Sequence, residues 1–366
     1  MTKYKGIPKT MRWVIGFLAL IIIGEGVYLF MKGTSKSAEI TTASTASAAP
    51  VVRLSVSGTK LTADGQPVRF KGISLGWHNI WPRFYNENCV KRLSSDWGAR
   101  MFRAAIGADS HAKTDNPECH DGYIDDPAFA LEHLYAAVDG AIASGSYILV
   151  DWHSHNLHLE AAKDFFTKVA TRYKGVPNVI YELFNEPVSA DYEKDGTFDD
   201  LSSNEAMAAY WKELKSYAES LIKVITEIDG SKPLILMGCP CWDQRIDLPA
   251  CDPIGGYDNL MYTVHFYAAS HKDSLRESCD KALAAGTPIF ISECASCVSD
   301  GKGAMDVESW EKWDDWAAAN GVSMIAWSIS DKDETCSMLT KDASSEGPWN
   351  EDVIKPWGQF VKSWIK

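Results

Sequence analysis

Two carboxylates stand at positions where chemistry is readily built. The apolar run Val179-Ile180-Tyr181-Glu182-Leu183-Phe184 leads directly into Asn185-Glu186-Pro187, and a second run, Pro288-Ile289-Phe290-Ile291-Ser292, ends in Glu293. Two strand ends that each deliver a carboxyl to one rim form the minimal apparatus for cleaving a glycosidic bond. The departing alkoxide needs a proton from one carboxylic acid. In a retaining reaction the other carboxylate, about 5 to 5.5 Å away, attacks the anomeric carbon, and the ester is later hydrolysed with the first group acting as base. Glu186 is the candidate acid/base and Glu293 the candidate nucleophile. When Glu293 loses its charge on forming the ester, the proton affinity of Glu186 falls, so one group can serve both steps.

A Glu after a strand is most often a solvated loop residue, so the neighbours carry the argument. Asn185 is placed to bond a sugar 2-hydroxyl, and Arg103 and Tyr267 to keep Glu293 ionised and oriented. His153 and His265 suit hydrogen bonds to sugar hydroxyls, against the plainer reading of internal bonding partners. Trp327 is the expected stacking floor, extended by Trp77, Trp81 and Trp242, with core packing the competing reading for each. No metal is expected: His153, His155 and His158 lack a Glu-centred zinc motif, and Cys239, Cys241, Cys251 and Cys279 do not form paired knuckles.

The elements that must position these groups are legible as an alternation. Strand-like runs occupy residues 69 to 74, 101 to 106, 147 to 151, 179 to 184, 234 to 238, 261 to 265, 289 to 292 and 323 to 327. Between them, windows such as 126 to 144, 159 to 173, 204 to 228 and 307 to 319 carry apolar residues at helical spacing. Eight such units predict an α/β fold, a closed (β/α)8 TIM barrel, rather than an open doubly wound sheet, and no Gly-x-Gly-x-x-Gly turn follows the first strand. In such a barrel the catalytic groups come from the C-terminal strand ends, where Arg103, His153, Asn185, Glu186, His265, Tyr267, Glu293 and Trp327 all fall. Ahead of the barrel, Leu54-Ser55-Val56 and Lys60-Leu61-Thr62 flank a turn and predict a small β-hairpin lid.

Composition narrows the partners. The balance of 36 basic against 49 acidic residues, a net charge of −13, argues against nucleic acid. The 14 tryptophans include several in loops after strands, where flat apolar faces suit pyranose rings. Lys3, Lys5, Lys9 and Arg12 precede the nearly apolar stretch Trp13 to Phe30, so residues 1–31 read as a membrane anchor or signal segment. Ala46-Ser47-Ala48 lies too far beyond the apolar core for ordinary cleavage, which favours an uncleaved signal-anchor with the N-terminus inside. Residues 32–52, rich in Ser, Thr and Ala, read as a linker, and 53–366 as the catalytic barrel, periplasmic or extracellular. Cleavage would make it a secreted protein instead. Nine cysteines fit an oxidising compartment but leave at least one unpaired within the chain.

From Leu54 onward the chain resembles glycoside hydrolase family 5, close to its bacterial endo-β-1,4-glucanases. The resemblance rests on Gly72-Ile73-Ser74-Leu75 with Trp77, Asp96-Trp97-Gly98, Phe102-Arg103-Ala104-Ala105 and Val150-Asp151-Trp152-His153-Ser154-His155. It continues through Asn185-Glu186-Pro187, Thr263-Val264-His265-Phe266-Tyr267, Ile291-Ser292-Glu293 and Trp327-Ser328-Ile329-Ser330-Asp331-Lys332. It implies Glu186 as acid/base, Glu293 as nucleophile, and sugar-binding or supporting roles for Arg103, His153, Asn185, His265, Tyr267, Trp327 and Lys332. It also implies a β-glucan substrate, no cofactor and a chain acting as a monomer. Mannanase, xyloglucanase and mixed-linkage glucanase activity remain alternatives, as does, from another class, a non-catalytic glucan-binding protein. The chain departs from the family where relatives carry Trp-Gly or Phe-Gly after the nucleophile and this sequence has Cys294-Ala295, which predicts an altered subsite. A disulfide from Cys336 to Cys294 or Cys297 is a further expectation.

Overall fold

The computed structural model describes residues 51–110, 116, 118–195 and 203–366. The expected membrane segment and all but the last two residues of the expected linker lie outside them. Among the described residues, no helix is long and apolar enough to cross a membrane.

Eight parallel strands close into a barrel: β4 (Lys71–Leu75), β5 (Met101–Gly107), β6 (Tyr147–His153), β7 (Val179–Glu182), β8 (Ile235–Met237), β9 (Leu260–Tyr267), β10 (Ile289–Ala295) and β11 (Met324–Ile329). Each pairs with the next in sequence, and β11 returns to β4. β5, β6 and β10 are buried along their whole length, as parallel strands covered by helices on one face and barrel core on the other must be. The helices follow from their sequence stripes. In Asn204–Asp229 the Ser203 hydroxyl accepts from the Ala206 N–H, Met207, Tyr210, Trp211, Leu214, Tyr217, Leu221 and Ile225 form the buried face, and Gly230 closes the helix at a φ of 69°.

Before the barrel, β1 (Leu54–Ser57), β2 (Lys60–Ala63) and β3 (Gln66–Pro67) form a small antiparallel sheet. It does not cover the catalytic rim. Leu54 and Leu61 pack with Met101, Leu149, Ile180, Leu236, Met261, Phe290 and Ile325, the inward residues at the lower end of the barrel. Asn259 holds the sheet there, its Oδ1 accepting from the Val56 N–H at 2.8 Å and its Nδ2 donating to the Leu54 carbonyl at 3.1 Å. The element is a plug at the N-terminal end of the strands, opposite the site.

Strand periodicity then dictates what the upper end carries. Successive side chains alternate faces, so the residues two, four and six positions beyond an inward apolar residue also point inward. Met101 leads to Arg103, Leu149 to Asp151 and His153, Ile180 to Glu182, Met261 to Thr263, His265 and Tyr267, and Ile325 to Trp327. β10 breaks the rule usefully: a register shift between Phe290 and Glu293 lets both face inward although they are three residues apart.

Candidate active site

The upper barrel is organised around Arg103, whose guanidinium has no exposed surface. Its Nε donates to Glu182 Oε2 at 2.7 Å, Nη1 to Glu293 Oε2 at 2.8 Å, and Nη2 to Asn185 Oδ1 at 2.6 Å and Asp151 Oδ2 at 2.9 Å. One planar cation thus fixes three carboxylates and the amide beside Glu186. The other oxygen of Glu293, Oε1, accepts from the Tyr267 hydroxyl at 2.7 Å. Burial and the charge of Glu186 raise the pKa of Glu293 above the ordinary carboxylate value, opposed by His265, Arg103 and the Tyr267 hydroxyl.

Glu186 sits between two histidines. His265 Nδ1 is 2.9 Å from its Oε1, and His155 Nδ1 is 3.8 Å from its Oε2. Burial raises the pKa of Glu186, but the His265 hydrogen bond and charge, His155 and Arg103 outweigh it and hold the carboxyl below its ordinary value. A carboxylate oxygen of Glu186, one of Glu293 and a ring nitrogen of His265 all lie within 4.8 Å of one another. By distance alone these three could hold a cation, yet both oxygens of Glu293 and Oε1 of Glu186 already accept hydrogen bonds, and Arg103 stands beside them. The donor set fits carboxylate chemistry better than metal binding.

These groups open into a cleft of about 960 Å³. Glu186, Glu293, Tyr267, His153, Trp77 and Trp327 line it. His153 stacks on Trp327 with ring centroids 5.4 Å apart and planes within 4°, and Trp77 meets it edge-on at 4.1 Å. Asp151 Oδ2, 2.6 Å from His153 Nδ1, fixes the imidazole.

The model of Cellulase (glycosyl hydrolase family 5) matches residues 61–333. The chain belongs to glycosyl hydrolase family 5, the cellulase family. It is 33% identical over 318 residues to Endoglucanase Z of Dickeya dadantii, covering 84% of this chain and 68% of that protein. It is 31% identical over 319 residues to an endoglucanase of Clostridium saccharobutylicum, covering 86% and 65%. Thus the chain spans about two thirds of the length of these relatives. Among solved structures it resembles the catalytic domain of Thermobifida fusca endoglucanase Cel5A, with a TM-score of 0.74, 27% identity and coverage of 86% and 97%. A form of that enzyme was solved with cellotetraose. A β-mannanase from Streptomyces thermolilacinus, 16% identical with a TM-score of 0.59, shares the fold alone.

Within this member of the family, Arg103, Asn185, Tyr267 and Glu293 converge in one hydrogen-bonded network and Glu186 with His265 in another beside it, with His153, Trp77 and Trp327 on the cleft wall. Lys332 also lines the cleft, its Nζ 2.5 Å from Glu334 Oε2. Trp242 is not among the lining residues: its N–H bonds the Pro187 carbonyl at 3.0 Å, which sets it beside the turn that follows Glu186. Cys294 does not shape a subsite. It alternates outward from Glu293, is fully buried, and donates its thiol to the Ile325 carbonyl at 3.2 Å. Cys336 lies instead beside Cys297, thiol to thiol, with all described cysteines reduced.

In the sequence, Asp151 and Glu182 stand in the motifs without an assigned role, His155 is weighed only against metal binding, and Asp243 is not singled out. Asp151 and Glu182 were legible in principle, being inward by the two-residue period of β6 and β7, but an acidic residue inside a strand signals nothing until its cation is located. His155 lies in a loop and Asp243 ends the four-residue helical turn Pro240–Asp243, too short for any periodicity to point at it.

Proposed function

We propose that this chain is a retaining endo-β-1,4-glucanase of β-glucan chains, with Glu186 as acid/base and Glu293 as nucleophile. The approach of the two carboxylates carries the reading: oxygens within 4.8 Å suit direct attack on the anomeric carbon, whereas an inverting pair stands roughly 6.5 to 9.5 Å apart to admit a water. The cleft volume lies at the upper end of the range for ligand pockets, roughly 300 to 1,000 Å³, which suits a chain cut internally. The endoglucanase names of the relatives, and the cellotetraose held by one of them, favour a β-1,4-glucan.

Arg103 and Tyr267 orient Glu293 for attack, and the proton from Glu186 releases the leaving sugar. Trp327, braced by His153, gives the sugar an apolar face to stack upon, and Trp77 extends that wall. Asn185, immobilised by Arg103, stands beside the acid where a 2-hydroxyl would lie. Lys332 serves as a polar contact at the rim.

Initial rates on carboxymethyl cellulose test the assignment: Glu186→Gln and Glu293→Gln each lose activity by about 10³-fold or more. Rates near wild type in both variants would end it. A panel including mannan, xyloglucan and mixed-linkage glucan reads out the preferred polysaccharide.

The basic and apolar residues of 1–31 support a membrane-anchored enzyme with its barrel outside the cytoplasm. Fractionation of cells expressing the whole chain is expected to leave activity in the membrane pellet after a high-salt wash. Recovery in the soluble fraction would argue for cleavage.

A further inference from the structure

A line of buried polar side chains runs away from the cleft behind Glu186. His265 bonds Glu186 through Nδ1, while its Nε2 lies 3.2 Å from Asp243 Oδ2 and 2.9 Å from Ser292 Oγ. Asp243 has no exposed surface and does not line the cleft, so it does not touch a sugar there. Two donors fix it. Thr263 Oγ1 donates to its Oδ2 at 2.6 Å and the Cys239 N–H to its Oδ1 at 2.7 Å, the pattern a carboxylate requires.

The backbone is bent to put it there. Cys241, Trp242 and Asp243 all take left-handed conformations, with φ of 60°, 52° and 60°. Non-glycine residues hold such a conformation only where the surroundings over-determine it, and such sites cluster around function. Gly238 shows how tight the packing is: a Cβ there would lie 2.8 Å from Asp243 Oδ1 and 2.7 Å from Pro187 Cδ.

We propose that Asp243 is a positioning residue for the acid/base, holding through His265 the proton that the departing sugar receives. The inference rests on the reading of Glu186 as acid/base. In the first step the Nδ1–H bond of His265 breaks as Oε1–H forms on Glu186. That proton passes to the glycosidic oxygen while the anomeric C–O bond breaks and the bond to Glu293 forms. In the second step water gives a proton to Glu186 and its oxygen to the anomeric carbon, the bond to Glu293 breaks, and Nδ1 recovers the proton. The net change is hydrolysis, and the relay ends as it began.

The charges around His265 favour this storage. Its charge interacts with Asp243, Glu186, Glu293, Glu182 at 4.0 Å and Asp151, and, among the described residues, with the imidazole of His271, while Arg103 pairs with Glu293, Glu182 and Asp151. Burial disfavours the imidazolium, but Asp243, then Glu186 and Glu293, outweigh it and raise the His265 pKa to about 9. Burial, with the charge of Glu186, holds Asp243 itself well above the ordinary carboxylate value, the His265 charge and the Thr263 and Cys239 donors lowering it only in part.

The test is the pH profile of kcat/KM for Asp243→Asn on a soluble β-1,4-glucan and on a dinitrophenyl cellobioside, whose leaving group needs no proton. Removing a negative charge makes the relay release its proton earlier, so the alkaline limb moves down by about one pH unit while the acidic limb stays. On the alkaline limb, about one unit above the wild-type midpoint, the glucan rate falls about tenfold and the dinitrophenyl rate changes little, a split that structural damage would not produce. Thr263→Val is the second arm, keeping the Asp243 charge but removing its hydroxyl donor; a more basic Asp243 moves the alkaline limb upward. Profiles that superimpose on wild type in both variants, or equal losses on both substrates, overturn the proposal. Glu186→Gln separates this from the underlying reading: if that variant keeps its glucan rate, the acid/base assignment has failed rather than the role of Asp243.

Discussion

Arg103 Nη1 donates to Glu293 Oε2 at 2.8 Å from a guanidinium with no exposed surface, and the same guanidinium also holds Glu182, Asp151 and Asn185. The nucleophile is therefore fixed by a residue that a sugar in the cleft does not touch. Glu293 also competes with two neighbouring carboxylates for one cation, which is why its orientation and ionisation depend on the whole buried cluster.

Replacing Arg103 should act on stability and activity together. Arg103→Met leaves three buried carboxylates without their cation, and breaking a buried pair in this way costs about 3 to 5 kcal/mol. Chemical denaturation is expected to show a loss of that size together with near-complete loss of turnover. Arg103→Lys should recover part of the stability and little of the activity, because one ammonium cannot reproduce the fork. Full activity in the lysine variant would contradict the account.

Stability should also fall on the alkaline side through His265. Its pKa in the folded chain is raised from 6.5 to about 9, so the protonated form is favoured by folding. The corresponding stabilisation is present in full below 6.5 and is lost as pH rises through about 9. Melting temperatures between these limits are expected to decline more steeply for wild type than for His265→Gln. Parallel curves would show that His265 is not charged in the folded chain.

The stacked pair of Trp327 and His153 predicts a binding effect. Trp327→Ala removes the flat face beneath the sugar and should lower kcat/KM by about tenfold, an aromatic contact contributing about 1 kcal/mol beyond its buried area. Trp242→Ala should have a smaller effect, since that residue does not line the cleft. The comparison is made on one soluble substrate at one pH; a larger loss in the Trp242 variant would reverse the assignment of the two aromatics.

Cys297 and Cys336 face one another between the last two rim loops, which the Thr335 N–H already joins through the Gly301 carbonyl at 2.9 Å. Oxidation by a disulfide reagent should cross-link these two and leave Cys294 free. Closing a loop of this length stabilises by about 3 to 4 kcal/mol in the chain-entropy account. Mass mapping of non-reduced peptides gives the connectivity, and a melting temperature that rises on oxidation gives the energetic readout. A peptide linking Cys336 to Cys294 would contradict the geometry.

Much of this architecture was legible in the sequence because it follows from two periods. The eight apolar runs became the eight barrel strands, and the windows at 126 to 144, 159 to 173, 204 to 228 and 307 to 319 became helices within a few residues. Strand ends named Arg103, His153, His265, Tyr267 and Glu293 because a closed parallel barrel has only one rim to which they can point. The rest depends on contacts that no local pattern encodes. The hairpin looked like a lid, and only the packing of Leu54 and Leu61 against the lower barrel interior shows it to be a plug. Cys294 looked like a subsite residue because it follows the nucleophile, yet neighbours in a strand face opposite ways. Trp242 looked like a cleft aromatic, but a left-handed backbone turns that loop toward Pro187.

The configuration of the first sugar released tests the central claim most directly. Proton NMR of the reducing end formed in the first minutes of hydrolysis, before mutarotation, separates the two anomers. Attack by Glu293 on one face, followed by water on the opposite face that the leaving sugar has vacated, predicts the β-anomer first, with the α-anomer appearing only at the mutarotation rate. Initial release of the α-anomer would mean that water attacks directly, and would contradict the assignment of Glu293 as nucleophile.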